Sequence, residues 1–290
     1  MQEVVTPKQV ARAIDVSESS VKRWCDRGII PSSKTAGGHR RIPICAVLSY
    51  LRESHQLIIS PEILGLPATS GQTDWVNCRA RDCLSEALLI GDEDRCRQIL
   101  FDIWLAGQSI PTICDEVIAE SFQQIGKRWE CHDVDIYQER RACEIMARIL
   151  YEFRQGTPPG DPSAYALGGT IPGDQYVLPT TMVELVLQSC GWTARSIGNS
   201  VPFESMAQAI RDLRPKVFWV SILYIADVRA LVEGFRLMNQ AADQVGAAIV
   251  VGGFALQESI RQNLRYTVFC DSMRNLADFA TKFKSTSATP

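Results

Sequence analysis

The stretch Thr6–Ile42, TPKQVARAIDVSESSVKRWCDRGIIPSSKTAGGHRRI, decides how the first part of the chain folds. Val10, Ala11 and Ile14 give a short helix one apolar face. Asp15-Val16 form a turn, and Ser17 is placed to cap a second helix running from residue 18 to residue 27. In that helix Val21 and Trp24 face inward, leaving Ser19, Ser20, Lys22 and Arg23 outward near its start. The run GIIPSSKTAGGHRRI then sets two short apolar ends around a Gly-Gly and a basic cluster, the pattern of a β-hairpin. Residues 44 to 52 predict a third helix.

The outward groups have a common chemistry. In a helix-turn-helix the first residues of the second helix meet base edges and phosphates. Glycines at Gly37 and Gly38 let backbone approach a phosphate closely, and Lys34, His39, Arg40 and Arg41 can donate to it. His39 has no second His or Cys at ligand spacing, so it reads as a phosphate contact and not as a metal ligand. A solvated basic loop on an ordinary three-helix domain would explain any one of these elements alone. Taken in order, Trp24-x-x-x-Gly28-Ile29-Ile30-Pro31 and Gly37-Gly38-His39-Arg40-Arg41-Ile42 resemble the MerR/excisionase winged-helix family. That resemblance implies binding to double-stranded operator DNA by a dimer or tetramer.

Charge divides the chain the same way. Residues 1–60 hold nine Lys/Arg and five Asp/Glu, and the remainder holds 21 basic and 28 acidic residues. A basic end on an acidic body points to a polyanion partner for that end only. Hydrophobic residues make up 46% and charged residues 22%, ordinary for a globular protein. No apolar run reaches the length of a membrane span, and the N-terminus lacks the apolar core of a signal peptide, so a cytoplasmic protein without a membrane partner is expected. The ten Cys form no CxxC pair and read mostly as buried thiols at apolar helix positions in a reducing compartment.

Two Pro- and Gly-rich stretches, residues 59–73 and 155–163, read as exposed connectors between three segments: 1–58, 74–155 and 163–286. The middle segment predicts four helices near 75–90, 92–107, 110–130 and 134–154. In the third, Ile113, Val117, Ile118, Phe122, Ile125 and Trp129 lie at helical spacing. The last segment alternates apolar runs at 164–168, 193–198, 217–223, 247–253 and 266–270 with helical stretches at about 176–190, 203–214, 227–246, 255–263 and 272–284. This predicts a doubly wound parallel sheet of five strands, with ligands expected at the strands' carboxyl ends.

A winged head, a four-helix bundle and a five-stranded α/β domain in that order resemble the CarH-like group of cobalamin-dependent photoreceptor repressors. The likeness covers nearly the whole chain. It implies an α and α/β multidomain fold whose last part is flavodoxin-like. In that family the bundle caps the upper face of adenosylcobalamin and the α/β domain holds the lower face. The bundle motif, Trp-x9-Glu-His, is met by Trp129 and Glu139, but Arg140 stands where His should be. The lower motif, Asp-x-His-x-x-Gly, keeps Asp174, with Tyr176 for His and Pro179 for Gly. The later marks are kept as Ser221-Ile222-Leu223 and as Gly252-Gly253, which in the family admits the nucleotide tail.

The departures fall on the chemistry. A phenol titrates at about pH 10 and ligates well only once ionised. A guanidinium stays protonated and has no lone pair to offer. Pro179 is expected to stiffen a loop where Gly allows close approach, and Arg140 could engage Asp174 or an acidic ligand. The resemblance therefore implies a regulator, a repressor in that family, that keeps the cobalamin-binding fold without a His-ligated cobalamin. It would act through oligomerisation, another ligand or a protein partner such as an antirepressor. The alternative is a light or ligand sensor that binds cobalamin or another tetrapyrrole without a protein His. Either the pocket has filled with side chains such as Tyr176 and Trp129, or it takes a different ligand. Cys131-His132 has no partner Cys or His nearby, so no metal or haem site is read there. Nothing resembles a nucleophile with its base and no substrate barrel is present, so an enzyme is not expected.

Overall fold

Thr6 closes the short strand β1 (Val4–Val5) and caps α1 (Pro7–Ala13). Its hydroxyl accepts from the Gln9 N–H, and the Gln9 side chain accepts from the Thr6 N–H, a reciprocal cap. The computed structural model describes residues 4–67 and 77–286. It divides into two compact units, 1–158 and 159–290.

Asp15 takes the turn with φ +53°, and Ser17 caps α2 (Glu18–Asp26) by accepting from the Ser20 N–H at 3.1 Å. Such a cap contributes about 1 kcal/mol. The predicted hairpin is β2 (Ser33–Lys34) paired antiparallel with β3 (Arg40–Pro43). β1 adds to the other side of β3, a third strand that two residues of sequence gave little sign of. The third helix is α3 (Ile44–Ser54). Val10, Val21, Ile30, Ile42, Val47 and Leu48, all fully buried, form the core of this head.

The first connector is not an exposed tether in its described part. Leu64 and Leu66 are buried, a 3-10 turn at Pro61–Leu64 packs on α1, and the Ile59 and Ser60 N–H groups donate to the Ala13 carbonyl. Apolar residues between the prolines supply a surface that covers α1. Residues 68–76, which include the rest of that connector and the expected start of the next helix, lie outside the described residues.

The bundle follows as α4 (Asn77–Ile90), α5 (Glu93–Leu105), α6 (Ile110–Thr112), α7 (Glu120–Glu130) and α8 (Ile136–Gly156). α6 and α7 are one continuous helix interrupted by a π turn at Ile113–Ala119, which periodicity alone did not predict. Ser109 caps it and Pro111 sits in its first turn, where a missing N–H costs nothing. α3 packs on α8 and α5, so head and bundle share one unit. There the Arg52 guanidinium lies 4.9 Å from the centre of the Trp104 ring and donates to the Gln108 carbonyl.

The second unit is the expected parallel sheet, in the order β5-β4-β6-β7-β8. The strands are β4 (Asp161–Thr170), β5 (Trp192–Ser196), β6 (Val217–Ser221), β7 (Ala248–Gly252) and β8 (Val268–Phe269). Between them run α9 (Val177–Ser189), α10 (Phe203–Leu213), α11 (Val228–Val245) and the short α12 (Glu258–Arg261), and α13 (Met273–Thr286) follows β8. Phe218, Val220 and Ile222 meet Phe203, Phe235 and Met238 on one face. Trp219 points to the other, where its indole N–H donates to Thr180 Oγ1 of α9 at 2.9 Å.

All ten cysteines are free thiols, but only Cys96, Cys114 and Cys270 are buried, against the expectation that most would be. Helical spacing marks the apolar side of a helix but does not separate its centre from its flank, where Cys25, Cys45, Cys83, Cys143 and Cys190 lie half-buried. No helix among the described residues is long and apolar enough to cross a membrane.

Candidate functional site

Two surfaces carry the candidate chemistry, one in each unit, with a few candidate residues on the bundle. On the head, Ser19, Lys22 and Arg23 are exposed on α2 and Ser20 is half-buried, its hydroxyl 2.9 Å from that of Ser17. Lys34 and His39 are exposed on the wing. Gly38 turns the wing with φ +77°, and its N–H donates to the Thr35 carbonyl. Lys22 pairs with Glu18 at 2.8 Å, one helical turn away. Among the described residues Arg23, Lys34 and Arg41 have no ion pair, so their charge is available to a polyanion. Arg40 departs from expectation. Its guanidinium pairs with Asp26 and donates to the Lys22 carbonyl, because strand alternation turns it towards α2.

On the bundle, Trp129 sits in the last turn of α7 and is 49% exposed. Glu139 and Arg140 lie in the first turn and a half of α8. Arg140 Nε is 3.5 Å from Glu139 Oε2, and the Arg140 side chain is 67% exposed. Glu139 also accepts from the Cys143 thiol at 3.3 Å. Burial, with the Glu139 charge adding to it, pushes that thiol up to about 12. The neighbouring Arg141 faces the other way and caps α4 through the Leu89 carbonyl.

In the second unit Asp174 is fully buried, and both its carboxylate oxygens are spent on backbone. Oδ1 accepts from the Tyr176 N–H at 3.0 Å, and Oδ2 from Leu223 at 2.6 Å and Tyr224 at 3.2 Å. One carboxylate thereby pins the loop after β4 to the loop after β6, at the carboxyl ends of adjacent strands. Thr170 and Ser200 tie in the loop after β5. The acceptors of Asp174 are thus met by backbone donors of its own unit. Pro179 belongs to the first turn of α9, not to a loop; no helical hydrogen bond is lost there. Tyr176 precedes that helix and is 45% exposed, so neither it nor Trp129 fills a cavity in its own unit. Ser221 is buried and Leu223 half-buried.

The two glycines have reasons within the fold. A Cβ on Gly252 would lie 2.7 Å from the Cys270 carbonyl oxygen. Gly253 has φ +117°, and a Cβ there would lie 2.1 Å from the Ile222 carbonyl oxygen. Two exposed aromatics, Tyr224 and Phe254, follow β6 and β7 and join Tyr176 at this edge of the sheet. They carried no motif, so sequence reasoning passed over them; their place two or three residues after a strand end was the available sign.

A helix-turn-helix domain model matches residues 4–55, and a B12 binding domain model matches residues 80–152. The HTH-type transcriptional repressor CarH of Myxococcus xanthus is 22% identical over 191 residues, 65% of this chain and 63% of that protein, so under two thirds of the repressor is spanned. In its domain content the chain is CarH-like. Dimethylamine corrinoid protein 1 of Methanosarcina mazei is 20% identical over 144 residues, covering 49% of this chain and 67% of that protein. The monomethylamine corrinoid protein of Methanosarcina barkeri shares the fold, with a TM-score of 0.59 at 13% identity over 71% of this chain and 99% of that one.

Against the CarH-like frame, the residues present do not fit a His-ligated cobalamin. Both positions that resemble axial His sites carry groups that cannot act as neutral nitrogen ligands: Arg140, held by Glu139, and Tyr176. No group of three or more His, Cys, Asp or Glu that could hold a metal occurs among the described residues.

Proposed function

We propose that this chain is a cytoplasmic transcriptional regulator, working as a repressor, that binds double-stranded operator DNA through α2 and the wing. The observation that carries this reading is that Arg23 on α2 and Lys34 and Arg41 on the wing have no ion pair among the described residues of a winged helix-turn-helix. The acidic charge of the rest of the chain leaves the basic head as the surface for DNA. The chain works as a homo-oligomer, a dimer or tetramer, matching repeated or palindromic half-sites. Its CarH-like half is not catalytic and acts independently of a His-ligated cobalamin, through self-association or an antirepressor protein.

A second reading has an observation of its own. Tyr176, Tyr224 and Phe254 expose three aromatic side chains at the carboxyl edge of the sheet, where such folds take ligands. That edge supports a flat apolar ligand, including a tetrapyrrole bound without a protein His.

A visible spectrum and a DNA gel shift of the pure protein test both readings, with and without adenosylcobalamin, in darkness and after light. The expected result is no corrin bands and an unchanged shift. Corrin bands with a light-sensitive shift would overturn cobalamin independence. No shift with any DNA would overturn the regulator.

A further inference from the structure

The wing carries two adjacent arginines in opposite circumstances. Arg41 has no ion pair among the described residues. The Arg40 side chain is only 15% exposed and reaches two acceptors on α2: the Asp26 carboxylate and the Lys22 carbonyl, 3.4 Å from Nη1. Lys22, midway along α2, and Asp26, its last residue, are one turn apart, so a single guanidinium straddles the helix's final turn. The negative end of the helix dipole favours a cation there. Other links between wing and helix are few. β2 is two residues long and exposed, and the Thr35–Gly38 turn hydrogen-bonds within itself. A guanidinium neutralised by a carboxylate is also a poor partner for phosphate, since Asp26 repels the same anion.

We propose that Arg40 is a positioning residue that fixes the wing against the recognition helix through Asp26, and that Arg41 alone of the pair contributes its charge to phosphate. This rests on the DNA-binding reading, which the test separates from it. The full-length protein is titrated with a labelled mixed-sequence duplex of about 30 base pairs over a range of salt. Arg41→Ala should weaken binding several-fold and lower the slope of log K against log salt by about 0.9, one phosphate contact. Arg40→Ala and Asp26→Asn should each weaken binding with an unchanged slope. The double variant should be no worse than the worse single, because both remove one interaction.

Loss of slope in Arg40→Ala equal to that in Arg41→Ala would overturn the proposal. So would tighter binding by Asp26→Asn, the outcome if freeing Arg40 delivered its charge to DNA. Amide hydrogen exchange without DNA gives a second readout. Arg40→Ala and Asp26→Asn should speed exchange at Thr35 and Gly38, and Arg41→Ala should not. If the wild-type protein bound no duplex, the DNA-binding reading would fail, while exchange would still decide whether Arg40 holds the wing. Unchanged exchange in both variants would refute that role.

Discussion

Replacing Asp174 with Ala removes the acceptor of three backbone N–H groups at once, in a place where the side chain has no exposure. Hydrogen bonds to a charged group contribute about 1.5–3 kcal/mol each, and donors left unmet in the interior cost a similar amount. The three share two oxygens and are not additive, and water can reach part of the opened loops. A loss of about 3–5 kcal/mol for the second unit follows. For a unit of this size that lowers the melting temperature by roughly 10–20 °C. Asp174→Asn keeps one acceptor oxygen and turns an amide towards a donor, so it should lose about 2 kcal/mol. Urea titration of the full chain, with hydrogen exchange resolved to residues 171–176 and 222–226, measures both. Exchange there should rise in Asp174→Ala before the sheet opens. A variant within about 0.5 kcal/mol of the wild type, the range of ordinary surface changes, with those loops equally protected, would refute the claim that this carboxylate organises the carboxyl edge.

Alkylation by iodoacetamide at pH 8, followed by peptide mass spectrometry, should label the exposed Cys78 and Cys131 first. Cys96, Cys143 and Cys270 should lag, because burial pushes their thiols up to about 12, 12 and 11, and Cys114, raised further by complete burial, should react last. Arg52, where α3 meets α5 and α8, is lowered by burial, and its buried Nε has no hydrogen-bond partner among the described residues. Arg52→Met should therefore leave stability unchanged or raise it, whereas Trp104→Ala should lose about 3–5 kcal/mol by urea melting. The Arg148 guanidinium holds the Glu93 carboxyl below its usual range. That contribution is present above the unfolded carboxylate range and is lost as pH falls through the folded value. Acid melting curves of Arg148→Ala should accordingly fall less steeply than the wild type below about pH 4.5.

The sequence displayed the elements whose residues act through period and punctuation. Ser17 as a cap, Gly38 at positive φ, Pro111 in a first turn and the five apolar runs all stand where their local chemistry required. What it did not display was pairing across distance. Arg40 and Arg41 are equivalent in the sequence, and only the strand's alternation against α2 makes one a clamp and leaves the other free. Asp174 read as half of a ligand motif, but two of its three donors lie 49 and 50 residues further on, in the loop after β6. The connector at 59–67 looked like a tether by composition, yet its apolar residues found the uncovered side of α1.

The marks that resemble a corrinoid site therefore divide by what holds them in place. Asp174, Gly252 and Gly253 are required by contacts inside the unit, with or without a ligand. Arg140 and Tyr176, at the positions that would carry axial chemistry, are exposed, the Arg140 side chain at 67% and Tyr176 at 45%. In the second unit the surviving glycines and Asp174 are therefore evidence for the fold, whereas Trp129 and Glu139 on the bundle are kept without such a packing requirement. Gly253→Ala tests this directly. If the glycine served only to admit a nucleotide tail, the substitution would leave the stability of cofactor-free protein unchanged. With φ at +117° and the Ile222 carbonyl in the path of a Cβ, it should instead cost at least about 2 kcal/mol in a urea melt without cobalamin. An unchanged midpoint would return Gly253 to the ligand site and weaken the case against a bound corrin.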